Sequence, residues 1–451
     1  MKKIFLILLL LIITSPAQAY VILTEEWKSG IGVRFWSTDN MPIDVIIDKP
    51  TTDNGEKIIG LVLDSLAVWQ NVKTTYLSYN IKEYLDENIN YDVLSDSQSS
   101  HYESIIPALN SSNFTTNNED GKHEIVFDED GKIFENIFGV DSTSVLGAAI
   151  PFSDATTGEI LDGVVFINTS IGLEEGVLQA AIVHELGHFI GIAHSNIVDS
   201  YLTDDLLPTM YYTKFPNDDS LGKDLAIDDI GVLSSLYPAN NINTELGCIE
   251  GKVQSSTGEG VFGASVVLLN IKTNEAMGGL SGYITGNAGK GEFGIYGVQP
   301  GTYVLYVYAI NSSTSGRLNG AIIGGIFEDI TKNFEEEFYN NIQQTFTDFY
   351  KNIPENAYRF EIGASTKISN VVVTEGTDIN DEIPIQETNC QPQFPGNQNL
   401  DFAKLPNPAA NFKTTSGGCQ LVINSSHEVP FFIVLLIITA VLLAIRKKGI
   451  K

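Results

Sequence analysis

The sequence predicts a multidomain protein in which an α+β domain is followed by an antiparallel β-sandwich and a C-terminal transmembrane helix. Its 451 residues exceed what one compact core usually holds, so two or three domains are expected. Near Cys248 the pattern changes from mixed strands and helices to short strands between glycine-rich turns. An uncharged apolar run, Val429–Ile445, lies near the end of the chain and precedes a basic tail, residues 446–451.

Composition limits the class of protein. Hydrophobic residues make up 43% of the chain and charged residues 18%, which supplies enough apolar surface for real cores and excludes a mainly disordered chain. Acidic residues outnumber basic ones by 56 to 26, and the formal charge of −30 disfavours binding to nucleic acid. Three cysteines are too few for a disulfide scaffold.

Residues 1–19 have the three parts of a secretory signal peptide. Two lysines precede the apolar run Ile4–Ile13, and Ala17-Gln18-Ala19 is a small-x-small cleavage site. We therefore expect an exported protein.

The apolar run Val429–Ile445 is just long enough to span a bilayer, with a buried core helix as the alternative. Residues 389–428 are polar and are predicted to be a linker. Within this linker, Ser416-Gly417-Gly418-Cys419 and the apolar run after it resemble the C-terminal sorting signals of bacterial surface proteins. That resemblance implies a sorting protease as a partner, and a plain membrane anchor is the other interpretation. In both cases we expect the protein at the cell envelope or cell surface.

Residues 20–240 form the predicted first domain. Strands are predicted where apolar residues alternate or form short runs between turns, and helices where they recur every three or four positions. The predicted strands are Pro42–Asp48, His123–Phe127 and Val164–Asn168, and the predicted helices are Lys57–Val72, Leu173–Ile192 and Leu225–Tyr237.

Residues 247–388 form the predicted β-sandwich. Its predicted strands are Ile249–Val253, Ala264–Asn270, Gly291–Tyr296, Thr302–Tyr308 and Thr366–Val373. The segment that begins GKVQSSTGEGVFGASVVLLN resembles the carboxypeptidase regulatory-like, or transthyretin-like, module, which implies a spacer or a domain that docks substrate. A Phe-rich stretch near residues 321–350 has a helical pattern and is expected to be an insertion. Cys248 and Cys390 bracket the module, and both a disulfide and two free thiols are compatible with the sequence.

The segment HELGHFIGIAHS contains three of the six histidines of the chain. His184 and His188 are four positions apart on a predicted helix, so their rings point to the same side, as two ligands of a tetrahedral Zn²⁺ do. His194 would lie too far along a continued helix to reach the same ion. Gly191 resolves this, because glycine tolerates a left-handed conformation, ends the helix and lets the chain return His194 to the metal.

The spacing HExxHxxGxxH resembles that of the metzincin zinc proteases, and Ser195 after the third histidine is typical of their matrixin branch. The resemblance implies a twisted mixed sheet with an active-site helix, one catalytic Zn²⁺ and Met210 in a turn under the metal. It also implies Tyr212 as a donor to the oxyanion, with packing as its alternative role. Further segments that resemble the family are the substrate-receiving loop and edge strand, Leu146-Gly147 and Phe166-Ile167-Asn168, and the closing helix, which begins at Leu225.

Glu185 lies about 100° around the predicted helix from the histidine before it, so it can flank the metal instead of binding it. Three histidines leave one ligand position for water, whose pKa zinc lowers toward about 7. Glu185 is predicted to accept the water proton and then to protonate the leaving amine.

Some features depart from the family or stand outside it. No cysteine precedes Cys248, so the cysteine switch that keeps matrixins latent is absent from the sequence. His101 and His123 lack the flanking pattern of a structural zinc site and are expected to be ordinary surface residues. Asp162-Gly163 is a candidate for holding Ca²⁺, with a plain turn as the alternative.

The predicted function is that of a surface-tethered zinc metalloendopeptidase that hydrolyses proteins or peptides. A surface adhesion or binding protein with an inactive metzincin domain is the alternative, and the intact Glu185 and Gly191 argue against it. A carboxypeptidase is suggested by the second module alone, and the HxxE…H zinc arrangement of those enzymes is not evident in the sequence.

Overall fold

The structure is a computed structural model. It describes residues 34–52, 54–85, 87–102, 105–106, 121–154, 157–197, 206–211, 224–282, 291–309, 334, 336–339, 342–343, 353–375, 384–388 and 390. In these residues the chain is a mixed α/β protein with three sheets and few helices.

One sheet of the described chain belongs to the first domain. Its five strands are β1 (Ile43–Ile47), β2 (Tyr79–Tyr84), β3 (Glu124–Asp128), β4 (Gly147–Ser153) and β5 (Ile160–Asn168). Their order is β2-β1-β3-β5-β4, and all neighbours run parallel except β4, which lies antiparallel to β5 at one edge. Strand β5 is buried at every position, as expected of a strand with neighbours on both sides and cover on its faces.

Three of the described helices were predicted from the sequence, and each begins and ends within three residues of its predicted bounds. The described helices are α1 (Gly55–Gln70), α2 (Tyr91–Ser95), α3 (Glu175–Phe189), α4 (Ile227–Leu236) and α5 (Ile242–Glu245). Helix α3 packs against α1 on one side and against β4 and β5 on the other, which buries most of its length. The indole Nε1 of Trp69 on α1 donates to the carbonyl oxygen of Val183 at 2.8 Å and fixes the two helices to each other.

The second domain contains two sheets in the described residues. Its strands are β6 (Gly247–Gln254), β7 (Ala264–Asn270), β8 (Ala276–Leu280), β9 (Glu292–Val298), β10 (Gly301–Ala309), β11 (Glu337–Phe338), β12 (Ile342–Gln343), β13 (Phe360–Ile362), β14 (Thr366–Thr374) and β15 (Ile385–Thr388). The six-stranded sheet has the order β12-β11-β10-β7-β8 with β13 also on β10, and the four-stranded sheet has the order β15-β14-β6-β9.

The predicted fold class is wrong in two respects. The β-sandwich is not purely antiparallel, because β6 and β14 pair in parallel, with Cys248 opposite Lys367. In addition, the residues that the structure describes include no helix long and apolar enough to cross a membrane. The predicted span Val429–Ile445, the linker and tail around it, and the signal peptide lie outside the described residues. The fold is therefore corrected to mixed α/β with three sheets.

The structure also tests the predicted cysteine pair and the predicted helical insertion of the second domain. Cys248 and Cys390 form a disulfide, with their Cα atoms 5.8 Å apart. Within the predicted helical insertion, the described residues Glu337–Phe338 and Ile342–Gln343 are paired strands and not helix. The physical reason lies in Phe338, whose ring packs at 5.0 Å against Tyr306 of β10 while its backbone pairs with the same residue.

The two domains share one continuous apolar core. Helix α4 packs on β8 and β9 of the second domain. The approach is so close that a Cβ on Gly297 would lie 2.5 Å from the carbonyl oxygen of Gly231, and Gly297 has a φ of +69°. Only glycine fits this contact. The two domains therefore pack directly against each other and are not separated by a linker.

Candidate metal centre

Helix α3 carries two of the predicted ligands and ends at Phe189, three residues before its predicted end. The rings of His184 and His188 face the same side, with centroids 4.8 Å apart. Gly191 has a φ of +88°, and its N–H donates to the carbonyl oxygen of His188 at 2.9 Å. A Cβ at this position would lie 2.4 Å from the carbonyl oxygen of Arg34, so glycine is required for space as well as for conformation. The turn brings His194 back to the helix.

The three histidines form a cluster that could hold a metal ion. One ring nitrogen from each of His184, His188 and His194 lies within 4.8 Å of the others. The Nε2 atoms of His184 and His194 are 3.2 Å apart. Two nitrogens that bind one tetrahedral Zn²⁺ at about 2.0–2.1 Å are separated by about 3.3 Å, so the spacing fits such an ion.

Hydrogen bonds on the far side of two rings fix which nitrogen faces the centre. Nδ1 of His184 donates to the carbonyl oxygen of Thr209, and Nδ1 of His188 donates to that of Ile192, both at 2.8 Å. With the proton on Nδ1, the lone pair of Nε2 faces the cluster. Burial lowers the pKa of His184 to about 4 and that of His188 to about 3, which keeps both rings neutral at neutral pH.

Met210 lies in a turn beneath the histidines. Its sulfur packs on Gly187 of α3, between the two helical ligands. The carboxylate of Asp229 on α4 accepts from the backbone N–H groups of Thr209 at 2.7 Å and Met210 at 3.1 Å. The carbonyl oxygen of Met210 in turn accepts from the N–H of Ser195 at 2.7 Å, so the turn is bonded to the loop of the third histidine.

Glu185 lies beside the cluster, under the edge strand β4. Its side chain is 8% exposed, and it accepts a hydrogen bond from the backbone of Ala149. Burial raises its pKa to about 8. Gly147 of the same strand makes room for it, because a Cβ there would lie 2.5 Å from Cγ of Glu185. Glu185 is therefore fixed between α3 and β4, directly after His184 in the chain.

Other predicted site residues have different outcomes. Tyr212 lies outside the described residues, so its predicted role stays a prediction. His101 and His123 are buried, at 6% and 8% exposure, and the expectation that they are surface residues is wrong. His123 packs on Trp36 with ring centroids 4.7 Å apart, and its Nδ1 lies 2.9 Å from the carboxylate of Asp162.

The Ca²⁺ expectation for Asp162-Gly163 has no support in the described part of the chain. Both residues lie inside β5, where the carboxylate of Asp162 also accepts from the N–H of Gly163 at 2.7 Å. Among described residues, the three histidines are the one set of three or more His, Cys, Asp or Glu side chains close enough to share an ion.

Sequence reasoning missed the roles of Gly147 and Asp229. Asp229 belongs to the predicted closing helix, but neither its hydrogen-bond partners nor the neighbour of Gly147 could be inferred from local patterns.

No protein-family model matches the chain, and no curated protein sequence matches it.

Proposed function

We propose that this protein is an exported zinc metalloendopeptidase of the metzincin type, matrixin-like, that hydrolyses peptide bonds in proteins. The observation that carries the proposal is the convergence of one ring nitrogen from each of the three histidines within 4.8 Å, and Glu185 directly follows the first of them on α3. The disulfide between Cys248 and Cys390 supports export, because such bonds persist in oxidising compartments.

The residues have separate roles in the proposed reaction. His184, His188 and His194 would hold Zn²⁺, which would supply Lewis acidity and lower the pKa of a bound water. Glu185 accepts a proton from the attacking water and passes it to the leaving amine. Tyr212 is proposed as a further donor to the oxyanion, and Tyr212→Phe would lower kcat if it has that role.

The experiment uses the full chain. Metal analysis should find about one zinc per chain, and a quenched-fluorescence peptide library should be cleaved in a chelator-sensitive manner. Glu185→Gln should retain zinc and lose at least about 10²-fold in rate, because proton transfer is removed. The matched control is Glu175→Gln on the same helix, which loses an exposed ion pair with Lys57 and should hydrolyse at the rate of the wild type.

Two results would contradict the proposal. Failure to bind zinc after reconstitution would remove the metal centre. Zinc binding without any hydrolysis would favour the alternative function, a surface binding protein whose metzincin-like domain is inactive.

A further inference from the structure

The loop that follows His194 is bonded to the second domain. Asn196 is completely buried, and its Nδ2 donates to Oγ of Ser265 at 2.7 Å and to the carbonyl oxygen of Gly279 at 3.1 Å. The backbone oxygen of Asn196 accepts from the hydroxyl of Tyr308 at 2.7 Å. These three partners lie on β7, β8 and β10 of the six-stranded sheet.

A second connection runs through Asp228 on α4. One oxygen of its buried carboxylate accepts from Oγ of Ser195 at 2.7 Å, and the other accepts from the N–H of Gly278 on β8 at 2.8 Å. Ser195 directly follows His194, so the residue after the third ligand is linked to the second domain through one carboxylate.

These contacts matter because the loop has no regular structure of its own. Residues 193–197 belong to no helix or strand, and the left-handed turn at Gly191 separates them from α3. This loop contacts the second domain directly through Asn196, and Ser195 is linked to it through the carboxylate of Asp228. Removing a partner of such a group leaves a buried polar atom unsatisfied, and the loop would move to satisfy it.

We infer that the second domain is part of the metal centre: through Asn196 and Asp228 its six-stranded sheet positions His194, and Tyr308 and Gly278 are positioning residues for the third ligand. The inference deepens the proposed function and rests on its zinc site, although it concerns metal affinity and coordination and not hydrolysis. It adds a role to the spacer or substrate-docking domain that the resemblance implies, and that implied role stays a prediction.

Two variants of the full chain test it, each with a matched control. Gly278→Ala places a Cβ 2.1 Å from Oδ1 of Asn196, whereas its control, Gly60→Ala on α1, places a Cβ where no atom lies within 4 Å. Tyr308→Phe removes the hydroxyl that Asn196 accepts from. Its control, Tyr303→Phe, lies on the same strand and loses a hydroxyl bonded to Gln299 within the second domain.

The readouts are the Zn²⁺ dissociation constant, from competition with a chromogenic chelator, and the visible absorption spectrum of the Co²⁺-substituted chain. Gly278→Ala and Tyr308→Phe should each weaken Zn²⁺ binding by about 10- to 100-fold, as loss of groups that orient metal ligands does. The Co²⁺ spectrum should change, since the position of the third nitrogen ligand changes, while both controls should match the wild type. A purely structural role would lower stability and leave the spectrum unaltered.

Wild-type Zn²⁺ affinity and an unaltered Co²⁺ spectrum in folded Gly278→Ala and Tyr308→Phe would overturn the inference. If Gly278→Ala does not fold, Tyr308→Phe decides alone, because it removes one oxygen atom and adds no volume. A wild-type chain that binds no zinc would instead overturn the proposed function. A wild-type chain that binds zinc and cleaves peptides, with variants indistinguishable from it, would overturn the inference alone.

Discussion

Gly187 of α3 and Met210 lie in direct contact, because Gly187 has no side chain to separate them. A Cβ on Gly187 would lie 2.2 Å from Sδ of Met210, and 2.9 Å from Cζ2 of Trp69 on α1. The helix that carries two histidines therefore touches the turn under the cluster and the neighbouring helix at a single glycine. The distances between α3, α1 and the turn at Met210 therefore depend on the absence of a side chain at this position.

Gly187→Ala should lower the free energy of unfolding by about 1–3 kcal/mol, because the methyl group overpacks a filled core. Helix propensity alone would give the opposite sign, since alanine is favoured over glycine by about 1 kcal/mol. Gly60→Ala on α1 is the control: nothing lies within 4 Å of its Cβ, so it should stabilise. Urea unfolding of the metal-free chain measures both changes. Equal stability of Gly187→Ala and wild type would contradict the packing described here.

Gly147→Ala should impair catalysis without loss of zinc. Its Cβ would lie 2.5 Å from Cγ and 3.0 Å from Oε1 of Glu185, so the carboxylate must move. A displacement of about 1 Å at a reacting group costs about 10²-fold in rate. We expect kcat/KM to fall by this order while metal analysis still finds zinc. Wild-type kcat/KM in this variant would mean that the position of Glu185 does not matter for the reaction.

The stability of the chain should depend on pH through Asp228. Burial raises the pKa of this carboxyl to about 8, and the adjacent charge of Asp229 acts in the same direction. An unfolded aspartate ionises near pH 4, so between about pH 4 and pH 8 the folded chain keeps a proton that the unfolded chain has released. Stability is therefore greatest below this window and falls as pH rises through it.

Asp228→Asn tests this dependence, because an amide can accept from Gly278, donate to Ser195 and not titrate. The free energy of unfolding of Asp228→Asn minus that of wild type should increase with pH between pH 5 and pH 8, by at most about 1.4 kcal/mol per pH unit. Unfolding of both proteins in chelator at four pH values gives this difference, in which contributions from other groups cancel. A difference independent of pH would show that Asp228 is ionised throughout.

The disulfide should contribute substantially to stability. Cys248 and Cys390 are 142 residues apart, and a cross-link that closes so long a loop restricts the unfolded chain strongly. Replacing both residues by serine should lower the free energy of unfolding by about 3–5 kcal/mol. Cys419→Ser is the control and should leave the unfolding curve of the oxidised chain unchanged. A double variant as stable as wild type would contradict the expectation.

The elements of this fold were largely predictable, because local periodicity determines them. The strand Ala264–Asn270 was predicted with its observed bounds, and the predicted helix Leu173–Ile192 contains the observed Glu175–Phe189. The histidine cluster was predictable for the same reason: helical spacing and one glycine specify it. Strand partners were not predictable. The alternation in β14 indicates a strand but says nothing about β6, a partner more than a hundred residues away, or about its parallel direction.

Long-range contacts also explain the other differences. His123 has a polar local sequence, and its burial depends on Trp36 and Asp162, which lie far from it in the chain. The docking of Asn196 into the second domain is likewise invisible in HELGHFIGIAHS and the residues after it. Periodicity specifies which face of an element is buried, but not which distant residues cover it.

The parallel pairing of β6 and β14 sets an order of events during synthesis. Gln254 and its partner Thr374 are 120 residues apart. At ordinary rates of translation, β14 is therefore synthesised roughly ten seconds after β6, and until then one edge of β6 is unpaired. An open edge of this kind is a template for pairing with other chains, and charged side chains on it discourage that. Glu250 and Lys252 occupy this edge, and in the finished fold Glu250 pairs at 2.7 Å with Lys367 of the arriving strand. The consequence of the parallel pairing is that β6 can complete its sheet only after β14 has been synthesised, and the ion pair of Glu250 forms at that stage.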